Sequence, residues 1–179
     1  MTPHSDLDPM FVLLNGPLGI GKSSLGEALC EELESSAHID GDALVALNPP
    51  APEGARGREQ LHGAIRLLVE HHRRFGARHF VINHVWFSPE DLEDLCARLT
   101  DIEPRSTVRC FRLRLDESEN LRRIERRARA RILDEFDFEQ RTVRRERALL
   151  TGREDLGEPL DVSGTLEATV GELLLLLRT

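Results

Sequence analysis

The eight residues from Gly16 to Ser23 read GPLGIGKS, the spacing G-x-x-x-x-G-K-[ST] of a phosphate-binding loop, or P-loop. Glycines let the backbone wrap closely around an anion, and a helix that starts after the loop adds its positive end. We expect Lys22 to contact the β- and γ-phosphates of a nucleotide, and the Ser23 hydroxyl to bind Mg²⁺. The motif predicts these nucleotide-binding residues: Gly16, Gly19, Ile20, Gly21, Lys22, Ser23 and Ser24.

Two carboxylates, Asp40 and Asp42, flank Gly41 at the end of a short predicted strand. Phosphoryl transfer needs Mg²⁺ on the phosphates and a carboxylate near the attacking hydroxyl. If the segment is extended, Asp40 and Asp42 point the same way, and Gly41 leaves room for a substrate to approach. We therefore predict that Asp40 lies near Mg²⁺ and that Asp42 binds the substrate hydroxyl, as hydrogen-bond acceptor and candidate base. The alternative is a turn that caps a helix, a common use of Asp-Gly-Asp.

A further apolar run ends in Asn83 and His84, with Trp86 two residues beyond. P-loop proteins commonly have a Mg²⁺-binding aspartate at this point, and Asn83 cannot carry that charge. The protein ligands predicted for Mg²⁺ are therefore Ser23 and Asp40. We predict that Asn83, His84 and Trp86 line the substrate pocket, with the indole stacked on a flat or sugar-like molecule. A capped strand end with a packed indole is the alternative.

Arginines are dense between residues 122 and 131, on a predicted helix. Kinases that move a γ-phosphoryl group need cations that reach the transferring phosphate as the site closes. Arg123 and Arg127 share a helix face because they are four residues apart. We expect these two residues to contact the nucleotide phosphates and to act in catalysis. A solvated charged face is the alternative.

The charge and composition of the chain argue against a nucleic-acid-binding, membrane-spanning or secreted protein. A net charge of -8 argues against a nucleic-acid partner, because nucleic-acid-binding proteins usually carry a basic surface. The apolar run at residues 173–177 is too short to cross a membrane, and the first residues do not resemble a secretion signal. The three cysteines are scattered without metal-ligand spacing, which favours reduced thiols in a cytoplasmic protein.

Five apolar runs alternate with helical patterns and predict strands at residues 10–15, 37–39, 79–85, 107–115 and 160–162. This alternation predicts one domain over residues 10–179, a three-layer α/β fold with a parallel sheet and helices on both faces. Residues 1–9 are expected to be a flexible leader and residues 48–57 a mobile loop. Ligands bind beyond the carboxyl ends of such strands, so the P-loop, Asp40 and His84 should meet in one cleft.

With these residues in place, the chain resembles the small P-loop kinases, which include shikimate kinase, gluconate kinase, chloramphenicol phosphotransferase and nucleotide kinase-like ATP-binding proteins. The resemblance rests on the P-loop, on Asp40-Gly41-Asp42 and on the arginine-bearing region before the last strand. It implies a sheet of order 2-3-1-4-5 and a helical lid over residues 117–150. It also implies that adenine lies near the turn Ser163-Gly164-Thr165, with Ser163 as a nucleotide-binding residue. The residues that grip the carboxylate of shikimate have no clear match here.

The leading hypothesis is an ATP-dependent kinase that uses Mg²⁺ to transfer the γ-phosphoryl group to a hydroxyl of a small molecule. The alternatives are a nucleoside or nucleotide kinase, and a P-loop ATPase that acts as a regulatory switch. A GTPase switch would need the guanine-reading motif Asn-Lys-x-Asp, whereas Lys22 is the only lysine of the chain. The acceptor molecule is not identified by the sequence.

Overall fold

The structure, a computed structural model, describes residues 8–46, 54–128 and 134–178, except for the side chains of residues 127, 128 and 134–136. The strands are β1 Met10–Asn15, β2 Ser36–Asp40, β3 His79–His84, β4 Thr107–Arg114 and β5 Glu158–Asp161. The helices are α1 Lys22–Glu32, α2 Gly41–Leu44, α3 Ala55–Arg74, α4 Pro89–Ile102, α5 Glu117–Ala128, α6 Asp134–Leu150 and α7 Leu166–Leu176. A short 3-10 turn spans Glu154–Leu156.

The five strands form one parallel sheet in the order β2-β3-β1-β4-β5. This confirms the predicted order 2-3-1-4-5. The central strand β1 is buried at all six positions, because a strand in the middle of a parallel sheet has helices over both of its faces. The P-loop follows β1 directly, so it lies at the middle of the carboxyl edge of the sheet.

Alternate residues of β1 contribute to two separate apolar cores, as the pleat of a strand requires. Val12 and Leu14 pack with α1 and α7 on one face of the sheet. Phe11 and Leu13 pack with α3 and α4 on the other face. The described residues therefore have three layers, helices, sheet and helices, as the sequence predicted.

Several element boundaries differ from the sequence prediction. Helix α3 begins at Ala55, so residues 55–57 are helical and not part of the predicted loop. Residues 48–53 of that predicted loop lie outside the described residues, as do residues 1–7 of the predicted leader. Strand β5 covers Glu158–Asp161 and excludes Val162. The short helix α2, which Asp40 caps, corresponds to the alternative given for Asp40-Gly41-Asp42, a turn that caps a helix.

Two helices begin with a side-chain cap. The Ser88 hydroxyl accepts a hydrogen bond of 3.1 Å from the Asp91 main-chain N–H at the start of α4, with Pro89 in the first turn. The Thr165 hydroxyl accepts one of 3.2 Å from the Ala168 N–H at the start of α7.

None of the described helices has the combined length and apolarity that a membrane-spanning helix requires.

Candidate active site

The P-loop depends on two glycines whose backbone lies in the left-handed region. The φ angles are 72° at Gly19 and 111° at Gly21, a region that residues with a side chain seldom adopt. A Cβ atom at Gly19 would also overlap the side chain of Ile124, which α5 packs directly against the loop. Both glycines are therefore required by the local geometry, as the motif predicted.

Lys22 lies inside the loop, with 6% of its surface exposed. Its ammonium group donates hydrogen bonds to the carbonyl oxygens of Gly16, at 2.8 Å, and Pro17, at 3.2 Å. Burial lowers the pKa of Lys22, although the nearby carboxylates of Asp42, Glu146 and Asp40 act in the opposite direction. The loop thus holds a cation, hydrogen-bonded to its own backbone, close to three acidic groups.

Ser23 and Asp40 are in direct contact. The Ser23 hydroxyl donates a hydrogen bond of 2.8 Å to Oδ2 of Asp40. Two hard oxygen donors side by side suit Mg²⁺, which also keeps water and phosphate oxygens as ligands. Among the described residues, no group of three or more His, Cys, Asp or Glu side chains is arranged to hold a metal ion. The protein would therefore supply only part of a Mg²⁺ coordination shell, with a bound triphosphate supplying more.

The Asp40-Gly41-Asp42 segment is not extended, so the prediction from strand alternation is wrong on this point, and the alternative of a turn that caps a helix is present. Asp40 ends β2 and caps α2, since its Oδ1 accepts a hydrogen bond of 3.0 Å from the Asp42 N–H. A Cβ atom at Gly41 would lie 2.9 Å from the main-chain oxygen of Asn83. Gly41 therefore makes room for β3 and not for a substrate. Asp40 and Asp42 still both reach the P-loop cavity.

Asp42 is paired with His84 from the neighbouring strand end. Nδ1 of His84 lies 2.7 Å from Oδ1 of Asp42, and half of the Asp42 side chain is exposed. Desolvation raises the pKa of Asp42, but the hydrogen bond from His84 and the positive charges of Lys22 and His84 outweigh it, and the pKa is lowered. Asp42 is thus an ionised carboxylate, held in place and open to a ligand.

Trp86 lies in the core on the α3 and α4 face of the sheet, with 2% of its surface exposed. Its ring contacts His84 edge-on at 5.5 Å, and its Nε1–H donates a hydrogen bond of 3.4 Å to His62. Buried Asn15 fixes its backbone through bonds of 3.1 Å and 3.0 Å to the Trp86 oxygen and N–H. The indole therefore contacts His84 from within the core and does not line the cleft, which agrees with the alternative of a packed indole and not with the predicted stacking.

Asn83 is also fully buried, contrary to its predicted place in the substrate pocket. It lies beside Asp40 in the register of β2 and β3, and its Oδ1 is hydrogen-bonded to Nε2 of His38. Its Nδ2 has no partner among the described residues. The chain thus has a buried amide at this strand end, packed against β2.

A cavity of about 590 Å³ extends from the P-loop to the segment after β5. Its lining residues include residues 18–25 of the P-loop and the first turn of α1, both aspartates, Arg123, Val162 and Gly164. Ser163 does not line this cavity. It faces a second cavity of about 630 Å³ on the other side of the segment, and its N–H is bonded to Asp161. In the segment after β5, Val162 and Gly164 therefore line the P-loop cavity, and Ser163 between them does not.

Arg123 joins three segments of the chain around this cavity. From α5 it donates hydrogen bonds to the Ile20 oxygen in the P-loop, at 2.9 Å, and to the Val162 oxygen after β5, at 2.7 Å. Its two hydrogen bonds are thus with backbone carbonyls on two sides of the cavity, and its Nε lies 3.7 Å from Oε1 of Glu119 on the same helix. The side chain of Arg127, the other predicted arginine, lies outside the described residues.

Two residues of the predicted lid region, 117–150, are hydrogen-bonded to Leu18 of the P-loop, and sequence reasoning missed both. Glu146 of α6 accepts a hydrogen bond of 2.6 Å from the Leu18 N–H. Asn120 of α5 donates one of 3.1 Å to the Leu18 oxygen. Neither residue belongs to a local motif, and Glu146 stands in a run of charged residues typical of a solvated helix. Only the fold brings them to the loop.

Several solved structures match this chain over almost its whole length. A gluconokinase from Sinorhizobium meliloti 1021 superposes with a TM-score of 0.65 at 20% identity, over 96% of this chain and 93% of that chain. A shikimate kinase from Bacteroides thetaiotaomicron gives 0.59 at 18% identity, over 95% and 99% of the two chains. The chain has the fold of the small P-loop kinases.

The P-loop kinase fold is also found in a Mycobacterium tuberculosis APS kinase in complex with AMPPNP and APS. That match has a TM-score of 0.60 at 17% identity, over 97% of this chain and 99% of that chain. Neither a scan of protein-family models nor a search of curated protein sequences gave a match. The P-loop kinase fold is therefore established by structure, while the reaction must be argued from the site.

Proposed function

We propose that the protein is an ATP-dependent kinase that transfers the γ-phosphoryl group to a hydroxyl of a small molecule. The observation that carries the proposal is the position of Asp42, an ionised carboxylate that lines the same cavity as the P-loop lysine and serine. A nucleotide-binding site alone needs no such group. A carboxylate beside the γ-phosphate is what an acceptor hydroxyl needs.

The transfer step uses Asp42 as the base. The acceptor oxygen forms a bond to the γ-phosphorus, and its proton passes to the Asp42 carboxylate. The bond between the γ-phosphorus and the bridging oxygen breaks, and its electron pair leaves with ADP. His84 holds Asp42 in position, and Trp86 in turn supports the imidazole. Positioning of this kind is the main contribution a protein makes to phosphoryl transfer.

Other residues of the cavity bind the nucleotide. Lys22 would exchange its carbonyl contacts for the β- and γ-phosphates. Ser23 and Asp40 would hold Mg²⁺, which neutralises phosphate charge when bound. We place adenine beside Val162 and Gly164, which line the same cavity. Helices α5 and α6, which already contact the P-loop, would form the lid over residues 117–150.

Acceptor-dependent release of ADP tests the proposal. Purified protein is incubated with ATP and Mg²⁺, and ADP is measured with and without sugars, polyols, nucleosides, shikimate-like acids and hydroxyl-bearing antibiotics. We expect at least one acceptor to raise the rate well above the rate with water alone. A slow rate that is the same with every acceptor would contradict a kinase and favour the switch.

A further inference from the structure

The side chain of Asn15 is fully buried at the carboxyl end of β1, directly before the first glycine of the P-loop. Its Oδ1 accepts a hydrogen bond of 3.0 Å from the Trp86 main-chain N–H. Its Nδ2 donates one of 3.1 Å to the Trp86 oxygen and one of 3.2 Å to the Leu156 oxygen. Both N–H donors and the oxygen of this amide are thus bonded to main-chain groups.

The Asn15 amide continues the contact between β1 and β3 after their pairing ends. The last register pair of these strands is Asn15 with His84. Beyond it, the main chain of β1 enters the P-loop, and residues 85–88 have no regular secondary structure. By bonding both the N–H and the oxygen of Trp86, the amide presents the same groups as the main chain of a neighbouring strand. The chain after β3 is therefore held against the start of the P-loop.

The segment that Asn15 holds contains the residue that orients Asp42. His84 lies two residues before Trp86, and its Nδ1 is 2.7 Å from Oδ1 of Asp42. The Trp86 ring contacts the imidazole edge-on at 5.5 Å. Asp42 lines the P-loop cavity together with Lys22. One buried amide thus links the segment that fixes the proposed base to the loop that would hold the phosphate donor.

Only an amide of this length can make the three bonds. An ionised aspartate has the same size but no donor, and leucine has neither donor nor acceptor. Without the amide, buried main-chain groups of Trp86 and Leu156 would lose their partner, which favours a shift of the segment. A displacement of about 1 Å at a reacting group can lower a rate about a hundredfold.

We propose that Asn15 is a positioning residue, which holds Asp42, through Trp86 and His84, at the distance from the P-loop that phosphoryl transfer requires. The inference rests on the proposed kinase function and on Asp42 as its base. Asn15 does not line the P-loop cavity, so its effect on the rate passes through these neighbours.

Variants of Asn15 test the inference, with the acceptor that gives the fastest ADP release. kcat, the Kd for ATP and Tm are measured for the wild type, Asn15→Leu, Asn15→Asp and Leu33→Ala. Asn15→Leu removes all three bonds at nearly constant size, and Asn15→Asp keeps the oxygen that accepts from Trp86. Leu33 is buried at the far end of α1, in the core on the other face of the sheet, so Leu33→Ala lowers Tm without touching this segment.

We expect kcat to fall at least about tenfold in both Asn15 variants, because the base is displaced. The Kd for ATP should change less than about threefold, since the P-loop keeps its own donors and Lys22. Leu33→Ala should keep a normal kcat. A normal kcat in the Asn15 variants, or an equal loss in Leu33→Ala, would overturn the inference. Asn15 variants that do not fold would assign the residue to stability alone and would also overturn it.

A double variant shows whether the effect of Asn15 passes through His84. If it does, adding Asn15→Leu to His84→Ala should lower kcat by less than about threefold more, because the two changes interrupt one path. A second full loss, of about tenfold, would mean independent effects and would overturn the inference.

Fluorescence gives a readout that needs no acceptor. Trp86 is the only tryptophan of a chain without tyrosine, so quenching by acrylamide reports on this segment alone. We expect stronger quenching in both Asn15 variants and no change in Leu33→Ala. Unchanged quenching in the Asn15 variants would overturn the inference and leave the kinase function standing. Wild-type protein that releases no ADP with any acceptor would overturn both.

Discussion

Nδ1 of His84 lies 2.7 Å from Oδ1 of Asp42, although the two residues are 42 positions apart in sequence. The contact exists because β2 and β3 are neighbours in the sheet and their carboxyl ends meet at the same edge. It gives the cleft a carboxylate of fixed orientation next to the P-loop. Most of the chemistry that we propose depends on this pair.

Removing the charge of Asp42 should stop catalysis without removing nucleotide binding. In Asp42→Asn we expect kcat to fall at least about a hundredfold, because loss of a general base typically has that effect. The dissociation constant for ATP, measured by calorimetry, should change less than about threefold, since Lys22 and Ser23 remain. Asp101→Asn, on the exposed surface of α4, is the matched control. A normal rate in Asp42→Asn would refute the role of this residue.

The pH dependence of kcat/KM should report the same carboxylate. The pKa of Asp42 is lowered, so the base stays ionised and the rate should fall only when the pH drops below the usual range of an aspartate. His84→Ala removes the hydrogen bond that lowers the pKa, so the acidic limb should move to higher pH. His71→Ala, on the surface of α3, should leave the limb in place. An unmoved limb in His84→Ala would argue against Asp42 as the titrating group.

Lys22→Ala should almost abolish nucleotide binding. Lys22 is the only lysine, so no second ammonium group can replace it. We expect the affinity for ATP to fall at least about a hundredfold, because a charged contact with phosphate in a buried loop is lost. Equilibrium binding of a fluorescent ATP analogue measures it. Tight binding retained by this variant would show that the nucleotide does not use the P-loop.

Arg123→Ala should lower the stability of the fold and weaken the binding of ATP. The two hydrogen bonds that it removes, to the Ile20 and Val162 oxygens, join α5 to both sides of the cavity. Hydrogen bonds to a charged group contribute about 1.5–3 kcal/mol each, so we expect a clear fall in Tm and a higher KM for ATP. Arg126→Ala removes an exposed arginine of the same helix, bonded to Glu119, and should change neither quantity much. Equal effects of the two variants would exclude a specific role for Arg123.

His62 should make the fold sensitive to acid. It is almost fully buried between Trp86 and Asp94, and burial lowers its pKa, although Asp94 acts in the opposite direction. The folded state therefore favours neutral His62. Its contribution to the free energy of unfolding is complete above the pKa of about 6.5 in the unfolded chain, and it is lost as the pH falls towards the lower pKa of the folded state. His62→Gln should reduce the loss of unfolding free energy between pH 7 and pH 5. His72→Gln should not, and an unchanged slope in His62→Gln would contradict the assignment.

The sheet and the P-loop could be predicted from the sequence because both depend on local patterns. Apolar runs defined the strands, and the glycine spacing defined the loop around Lys22. The rule that ligands bind at the carboxyl ends of parallel strands then predicted that Asp42 lies at the P-loop cavity, where the structure has it with His84 bonded to it. The contact between Ser23 and Asp40 follows from the same rule.

The remaining residues of the site depend on side-chain direction and on distant helices, which the sequence does not encode locally. The side chain of Asn83 is buried and hydrogen-bonded to His38. The side chain of Trp86 lies in the core, hydrogen-bonded to His62. Glu146 could not be distinguished from the charged residues around it. It reaches Leu18 only because α6 folds back on the loop.

The burial of Lys22 also has a practical use in protein chemistry. Amine-directed reagents have only the chain terminus and this one side chain to modify, and a mass spectrum distinguishes the two. Because Lys22 lies inside the P-loop with its pKa lowered, an acyl-phosphate reagent that enters the nucleotide cavity would meet a reactive amine there. Protection of that single position by added ATP would report occupancy of the site in a crude mixture, before any acceptor is known.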